Sequence, residues 1–315
     1  MTAPQGVFLP PGAGPGASGG VRRFANLGLF ALAVLGGLAG LGMLWFHLMT
    51  DPLMDVRAYY DAATRLNARE PLYPPGADPT LAEFYRYPPL LAVALRPFAL
   101  LPYGWFAALW EAAIVAALVL TLRRVGLGGR TWLVLGLLGM PLGWALAIGQ
   151  AQVFVTLLLV VGTPFSIALA AHLKVFPILA ALYWIGRGEV GYVGGFLGWL
   201  VGLSVLQAFL EPAGWRGFWE VATFAQVGDV QNLSPFAFSP LLWLVLLGAG
   251  IVATLALART RFGWVAAVAL ATLATPRLLF YMLSTLLAAL RAPKADSPDV
   301  PPPPDAAEVY VSSAR

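Results

Sequence analysis

The fold turns on residues 22–70, "RRFANLGLFALAVLGGLAGLGMLWFHLMTDPLMDVRAYYDAATRLNARE". The first half holds an uncharged run, 24–48, of 25 residues, longer than the ~20 that cross a bilayer as a helix. It is too long for the apolar core of a cleaved leader and no small-residue cleavage site follows it, so it is expected to stay in the protein. The segment after it, 51–73, carries four carboxylates and three arginines. An apolar crossing that hands the chain straight to a charged, wet segment predicts a membrane protein with a built-up outer surface.

The rest of the chain agrees. Its 315 residues are 59% hydrophobic and 11% charged, with a mean hydropathy of +0.78, outside the range of soluble globular domains. Glycine and proline, 34 and 26 of them, are tolerated in transmembrane helices, whose neighbours satisfy the freed backbone groups. Cysteine is absent, which removes disulfides, thiol nucleophiles and thiolate metal sites. With His47 and His172 as the only histidines, a histidine-built metal centre is not expected. No cofactor and no nucleic-acid partner is called for. Residues 1–22 and 292–315, rich in Pro, Gly, Ala and Ser or in acid, read as disordered tails around a transmembrane domain at 23–291.

Orientation follows the excess of Lys and Arg in short cytoplasmic loops. Placing Arg22 and Arg23 in the cytoplasm sends 51–73 outside, at the start of an outer loop, 50–104. The piece 88–101 is short and contains Arg96 followed by Pro97, so it reads as a non-spanning helix in the outer leaflet. The segment 105–122 then comes in to Arg123, Arg124 and Arg130, and 131–148 goes out. Residues 153–185 must cross an odd number of times to bring Arg187 inside; one long kinked crossing and three short ones both satisfy this. The segment 191–210 goes out to a second outer loop, 211–234, and 236–257 returns to Arg259 and Arg261. A helical pair around "ATPRLLFY" closes the count at eight to ten helices, with both termini cytoplasmic. Seven arginines, Arg57, Arg65, Arg69, Arg86, Arg96, Arg216 and Arg277, face outward, where the charge rule gives no reason for them.

Within the first outer loop Val56, Tyr59, Tyr60, Ala63 and Leu66 recur at helical spacing, which predicts an amphipathic helix with Asp55 near its N-terminus. A solvated helix with pairs such as Asp61–Arg65 accounts for the same pattern. Outward arginines beside Tyr73, Tyr85 and Tyr87 suit an anionic head group between aromatic walls. Elsewhere the polar residues of the apolar runs gather at outer ends: Gln150, Gln152, Lys174, Asn232, Arg277 and Tyr281. Glu111, ~9 Å below the outer end of its helix at 1.5 Å per residue, is a functional candidate as an intramembrane acid; a pairing with Arg96 is the structural alternative. His47 reads as an interface residue, and His172 lies close to the polar set.

Taken in order, "DVRAYYDAATRLNAREPLY", "YRYPPLLAVALRPFALLP", "IGQAQVFVTLLLV", "AAHLKVFPILAALYWIGRG", "NLSPFAF" and "LATPRLLFYMLSTLLAAL" resemble glycosyltransferase family 87. The likeness runs from about Asp55 to Leu290. That family comprises polytopic GT-C-fold enzymes, including polyprenyl-phosphate-mannose-dependent mannosyltransferases. The resemblance implies an all-α GT-C-like bundle in the cell membrane that transfers a hexose, with mannose expected, from a polyprenyl phosphate to a lipid, glycan or protein hydroxyl at the outer face, with inversion. It makes Asp55 the general base. It matches Tyr59, Tyr60, Tyr87, Gln150, Lys174 and Arg277 to family positions. With Arg57, Tyr73, Arg86 and Asn232, from the outward arginines, aromatic walls and outer-end polar residues read above, these make the expected substrate-binding set, with membrane lipids as the remaining partners.

The expected chemistry needs one carboxylate to take the acceptor proton, a contribution of ~10²- to 10⁴-fold. The leaving phosphate is already acidic, so cations rather than a second acid are required. Two alternatives remain. A secondary transporter would place ionisable groups near the midplane and show repeated halves, whereas here they gather on one face. A catalytically inactive relative would explain the compact 150–186 region and the "YMLST" that follows the late aromatic.

Overall fold

A computed structural model describes residues 18–78, 81, 83–222 and 231–293, with side chains from residue 26 onward. All regular structure among these residues is helical, and the chain is an all-α polytopic membrane protein. The tails expected at 1–22 and 292–315 fall almost wholly outside the described residues.

The chain opens with α1 (Ser18–Thr50). An outer segment follows, with α2 (Met54–Asn67), α3 (Pro89–Leu95) and a 3-10 turn at Phe98–Leu100. As expected, 88–101 does not span. α3 has seven residues, and Arg96–Pro97 ends it because proline lacks an N–H and disfavours helix in the residue before it. Next come α4 (Tyr103–Val125), then α5 (Gly129–Leu137) and α6 (Gly139–Ala147), which are bent by 65°. α7 (Gln152–Val161), α8 (Pro164–Leu173), a 3-10 helix at Phe176–Ala181 and α9 (Leu182–Arg187) precede α10 (Val190–Leu210) and α11 (Pro212–Ala222). After a turn at Pro235–Ala237, α12 (Pro240–Leu257), α13 (Gly263–Leu273) and a 3-10 helix at Phe280–Leu290 complete the chain.

Among the described residues four helices are long and apolar enough to cross a membrane alone: Asn26–Thr50 within α1, α4, α10 and α12; the bent α5–α6 pair makes five. Helix α1 lies backbone to backbone against that pair. A Cβ on Gly36 would stand 2.0 Å from the Gly136 oxygen, and one on Gly139 would stand 2.2 Å from the Gly36 oxygen. Only glycine allows such an approach, the small-residue packing that joins helices in lipid.

The region 153–185 folds as short helical segments that run back and forth between the two ends of the bundle. α7 ends at Gly162, in the left-handed region at φ +63, where an added Cβ would meet Pro293 at 2.9 Å. Nearby, Arg291 donates to the Arg124 carbonyl at the end of α4. A Thr163–Ser166 capping box and Pro164 then start α8, which returns to Lys174. The 3-10 helix and α9 lead back to Gly186, whose carbonyl accepts from Arg259 Nε at 3.3 Å. Periodicity could not locate turns inside one continuous apolar run; the two glycine–proline and glycine–arginine contacts do. The bundle therefore has a basic end, with Arg124, Arg187, Arg259 and Arg291, and an opposite end built by α2, α3 and α11. At ten residues each, α7 and α8 cover only ~15 Å of a ~30 Å hydrocarbon core.

Candidate active site

Asp55 stands in the first turn of α2, where the positive end of the helix dipole favours a carboxylate. The helix starts abruptly. Leu53 adopts φ +56, and the N–H groups of Leu53 and Asp55 donate to the carbonyls of Ala147 (3.0 Å) and Ile148 (3.1 Å) at the end of α6. The orphan donors of one helix thus satisfy the orphan acceptors of another. Gly149 follows at φ +69, with room for no Cβ because Val56 Cγ2 would lie 2.0 Å away. That turn brings Gln150 against Asp55.

Gln150 is fully buried. Its Nε2 donates to Asp55 Oδ2 at 2.9 Å, and its Oε1 accepts from the hydroxyls of Tyr59 at 3.0 Å and Tyr87. The Tyr59 hydroxyl in turn accepts from the Ala151 N–H at 3.2 Å.

In front of Asp55 opens a cavity of about 370 Å³. Its polar wall is Asp55, Arg86, Tyr87, Lys174, Arg277 and Tyr281; its apolar wall includes Phe84, Phe176, Phe218, Trp219 and Phe236. Lys174, the residue that ends α8, points its ammonium between two aromatic faces, 5.4 Å from the Tyr87 ring centre and 5.1 Å from that of Tyr281. Both lie within cation–π range. Its Nζ is buried without a hydrogen-bond acceptor among the described residues. Burial pushes Asp55 up to about 6, and the charges of Lys174, Arg86 and Arg277 hold it from rising further, while Asp51 adds to the rise. Burial, and then the neighbouring Arg277, lower Arg86 from its usual value. Among the described residues the charged groups on that wall are Asp55, Arg86, Lys174 and Arg277, and cations so placed suit an anionic group.

The structure gathers Asp55, Arg86, Tyr87, Lys174 and Arg277 from the expected set at the cavity. Tyr59 and Gln150 stand directly behind Asp55, and Tyr73 behind Tyr87, donating to its carbonyl at 2.6 Å. Asn232 lies outside the cavity wall: its Nδ2 donates to Pro276 O at 2.8 Å, and its Oδ1 accepts from the N–H groups of Ser234 and Leu278 at 2.9 Å. It holds the loop that carries Arg277. Arg57 and Tyr60 point elsewhere. Arg57 pairs with Asp61 at 3.1 Å and lies over Tyr103, and Tyr60 donates to the Leu101 carbonyl at 3.1 Å, because both occupy the side of α2 turned away from the Asp55–Tyr59 face. Arg96 meets Asn67 at 3.1 Å rather than Glu111.

Phe84, Phe218 and Trp219 were not expected at the site, whereas Tyr281, noted among the outer-end polar residues, does line the cavity. The second outer loop is not simply wet: its first part is α11, whose "GWRGFWE" sets Phe218 and Trp219 one after the other. That aromatic cluster on an amphipathic helix was the available signal.

These features define a polytopic membrane protein with a cation-rich cavity and one facing acid at the end of the bundle opposite its arginine-rich end. The chain belongs to glycosyltransferase family 87, whose model matches residues 84–293. The match begins beyond α2, so the position of Asp55 rests on geometry rather than on that match. The chain is also similar to the polyprenol-phosphate-mannose-dependent alpha-(1-2)-phosphatidylinositol pentamannoside mannosyltransferase of Mycolicibacterium smegmatis, 27% identical over 284 residues. That alignment covers 76% of this chain and 66% of the relative. No solved structure matches.

Proposed function

We propose that this chain is an inverting GT-C-like glycosyltransferase that moves a hexose, mannose, from a polyprenyl phosphate to a hydroxyl of a glycolipid or glycan. Transfer takes place at the outer face of the cell membrane, with both termini in the cytoplasm. The observation that carries this reading is Asp55 opening onto a cavity whose other charged walls are Lys174, Arg86 and Arg277. The name of the mycobacterial relative supports the donor and a glycolipid acceptor.

In the step proposed, the acceptor oxygen bonds to C1 of the sugar as the C1–O bond to phosphate breaks. The acceptor proton passes to Asp55, and the electron pair leaves with the phosphate, whose charge rises by one unit. The cavity cations bind the donor phosphate and hold it more tightly as that charge develops, which is where electrostatic stabilisation lowers a barrier. Val175, Phe176 and Phe236 on the apolar wall would accommodate the first isoprene units.

The test uses purified protein or membranes with radiolabelled polyprenyl-phosphate mannose and a glycolipid acceptor. Asp55→Asn is expected to lose at least ~10²-fold in kcat, the scale of a positioned general base. Transfer at the wild-type rate by this variant removes Asp55 as base. Absence of transfer by the wild type with any polyprenyl-phosphate sugar favours an inactive relative.

A further inference from the structure

Asp55 has three cations about it, but charges act through space and do not fix the direction of a carboxylate. Among the described residues one hydrogen-bond donor reaches it, the Gln150 amide at 2.9 Å. A side-chain amide has two donor hydrogens and one acceptor oxygen with two lone pairs. Here the oxygen accepts from the Tyr87 hydroxyl and stands 3.0 Å from that of Tyr59, whose single proton is shared between it and the Tyr87 oxygen at 2.9 Å. Turning the amide over would set two acceptor oxygens against each other at the ionised carboxylate and take the amide acceptor away from the tyrosine hydroxyls. Gln150 is fully buried, so water cannot relieve either. The orientation is therefore single, and its effect falls on Oδ2, leaving Oδ1 as the oxygen available to a proton from the cavity.

We propose that Gln150 is a positioning residue for Asp55 rather than a substrate contact: its amide, pinned by Tyr59 and Tyr87, aims the carboxylate into the cavity and favours its ionised form. The proposal rests on the reading of Asp55 as base. It also gives Tyr59 and Tyr87 a purpose that their burial alone would not, because each hydroxyl fixes the rotamer of a residue it does not share with substrate.

Gln150→Met, close in shape but without a donor, is the variant to make. In polyprenyl-phosphate-mannose transfer its kcat at pH 7 is expected to fall roughly 10- to 100-fold, the worth of a hydrogen bond to a charged group. The donor KM is expected to stay within about twofold, since the lost contact is not to substrate. Losing a donor to the charged form raises proton affinity, so the acid limb of kcat against pH moves up by about one unit and raising the pH recovers part of the rate. Gln150→Asn, with its amide one methylene short, falls between the two. The proposal is overturned by a loss that is the same at every pH, or by a raised donor KM with kcat intact.

If Gln150→Met does not yield folded protein in detergent, Tyr59→Phe removes one of the two pinning hydroxyls, and its limb must move in the same direction by less; an unmoved limb overturns the proposal there as well. An active Asp55→Asn would instead sink the base itself. A dead Asp55→Asn with an unmoved limb in Gln150→Met would sink the positioning role alone.

Discussion

Arginines at the basic end of the bundle turn to helix-end carbonyls and neighbouring acids, whereas Lys174, although it ends α8, turns its ammonium into the cavity. Arg291 and Arg259 donate to the carbonyls of Arg124 and Gly186, at or next to the ends of α4 and α9, where the helix dipole is negative, and Arg187 pairs with Glu189. Each is explained by its neighbours and by the side of the membrane it marks. Lys174 differs: its ammonium is buried between aromatic rings, with no hydrogen-bond acceptor among the described residues, and it faces Asp55 across the cavity. Basic residues mark topology at one end and line a cavity at the other. Burial, not charge alone, separates the two.

The strongest way to break that comparison after Asp55→Asn is to remove one cation from each end. Lys174→Met is expected to raise the donor KM and lower kcat, together roughly 10- to 100-fold in kcat/KM, as befits a charge-assisted contact to phosphate. Arg259→Met, exposed and bonded to a carbonyl, is expected to change kcat/KM by less than about twofold. Kinetics in detergent with short-chain polyprenyl-phosphate mannose check both, and equal losses would erase the distinction between the ends.

A smaller effect sharpens it further through pH. Asp55 must be ionised to act as a base, and burial raises it to about 6, so the rate is expected to fall about tenfold per unit of pH below that value and to level off above it. The sign for stability is opposite. The folded chain holds this proton up to a higher pH than an unfolded one, so ionising Asp55 costs stability as pH rises from the ordinary carboxylate value to about 6. Asp55→Asn should therefore melt no lower than wild type at pH 7 while losing activity, which thermal unfolding in detergent reads directly. In Lys174→Met one of the charges that restrain the rise is gone, and the acid limb moves up.

Much of the membrane plan was legible because it depends on length and charge. The expected 105–122 and 191–210 became α4 and α10, and Arg96–Pro97 stopped α3 where proline must. The short segments that run back and forth between Gln150 and Gly188 were not legible, since Gly162 and Thr163 interrupt an apolar run without a polar signal. In the site, helical spacing predicted α2 with Asp55 near its N-terminus among the polar positions, and Tyr59 with Tyr60 on the apolar face. Tyr59, four residues on, in fact shares the Asp55 face, while a step of 100° per residue turns Arg57 and Tyr60 away. Lys174 and Arg277 come from distant segments, and only packing could say that they meet.

Asn232 gives the smallest and most discriminating case, because it was expected at the substrate and lies behind it. Its amide spends all three of its bonds on Pro276, Ser234 and Leu278, and the Leu233 N–H adds a fourth tie, to the Leu278 carbonyl at 2.8 Å. Arg277 is thus carried on a loop whose shape is set from the strand of chain opposite. Asn232→Ala leaves two buried N–H groups without an acceptor, a cost of ~1–3 kcal/mol each in the static limit, which the loop would relieve by moving. The expected result is a drop in melting temperature together with a three- to tenfold rise in donor KM as Arg277 shifts, each shift of a tenfold factor corresponding to ~1.4 kcal/mol. Asn232→Asp keeps the acceptor oxygen for Ser234 and Leu278 and should restore most of the stability. A substrate contact would behave differently: Asn232→Ala would raise the donor KM with the melting temperature unmoved, and Asn232→Asp, placing a negative charge near the phosphate, would be the worse of the two.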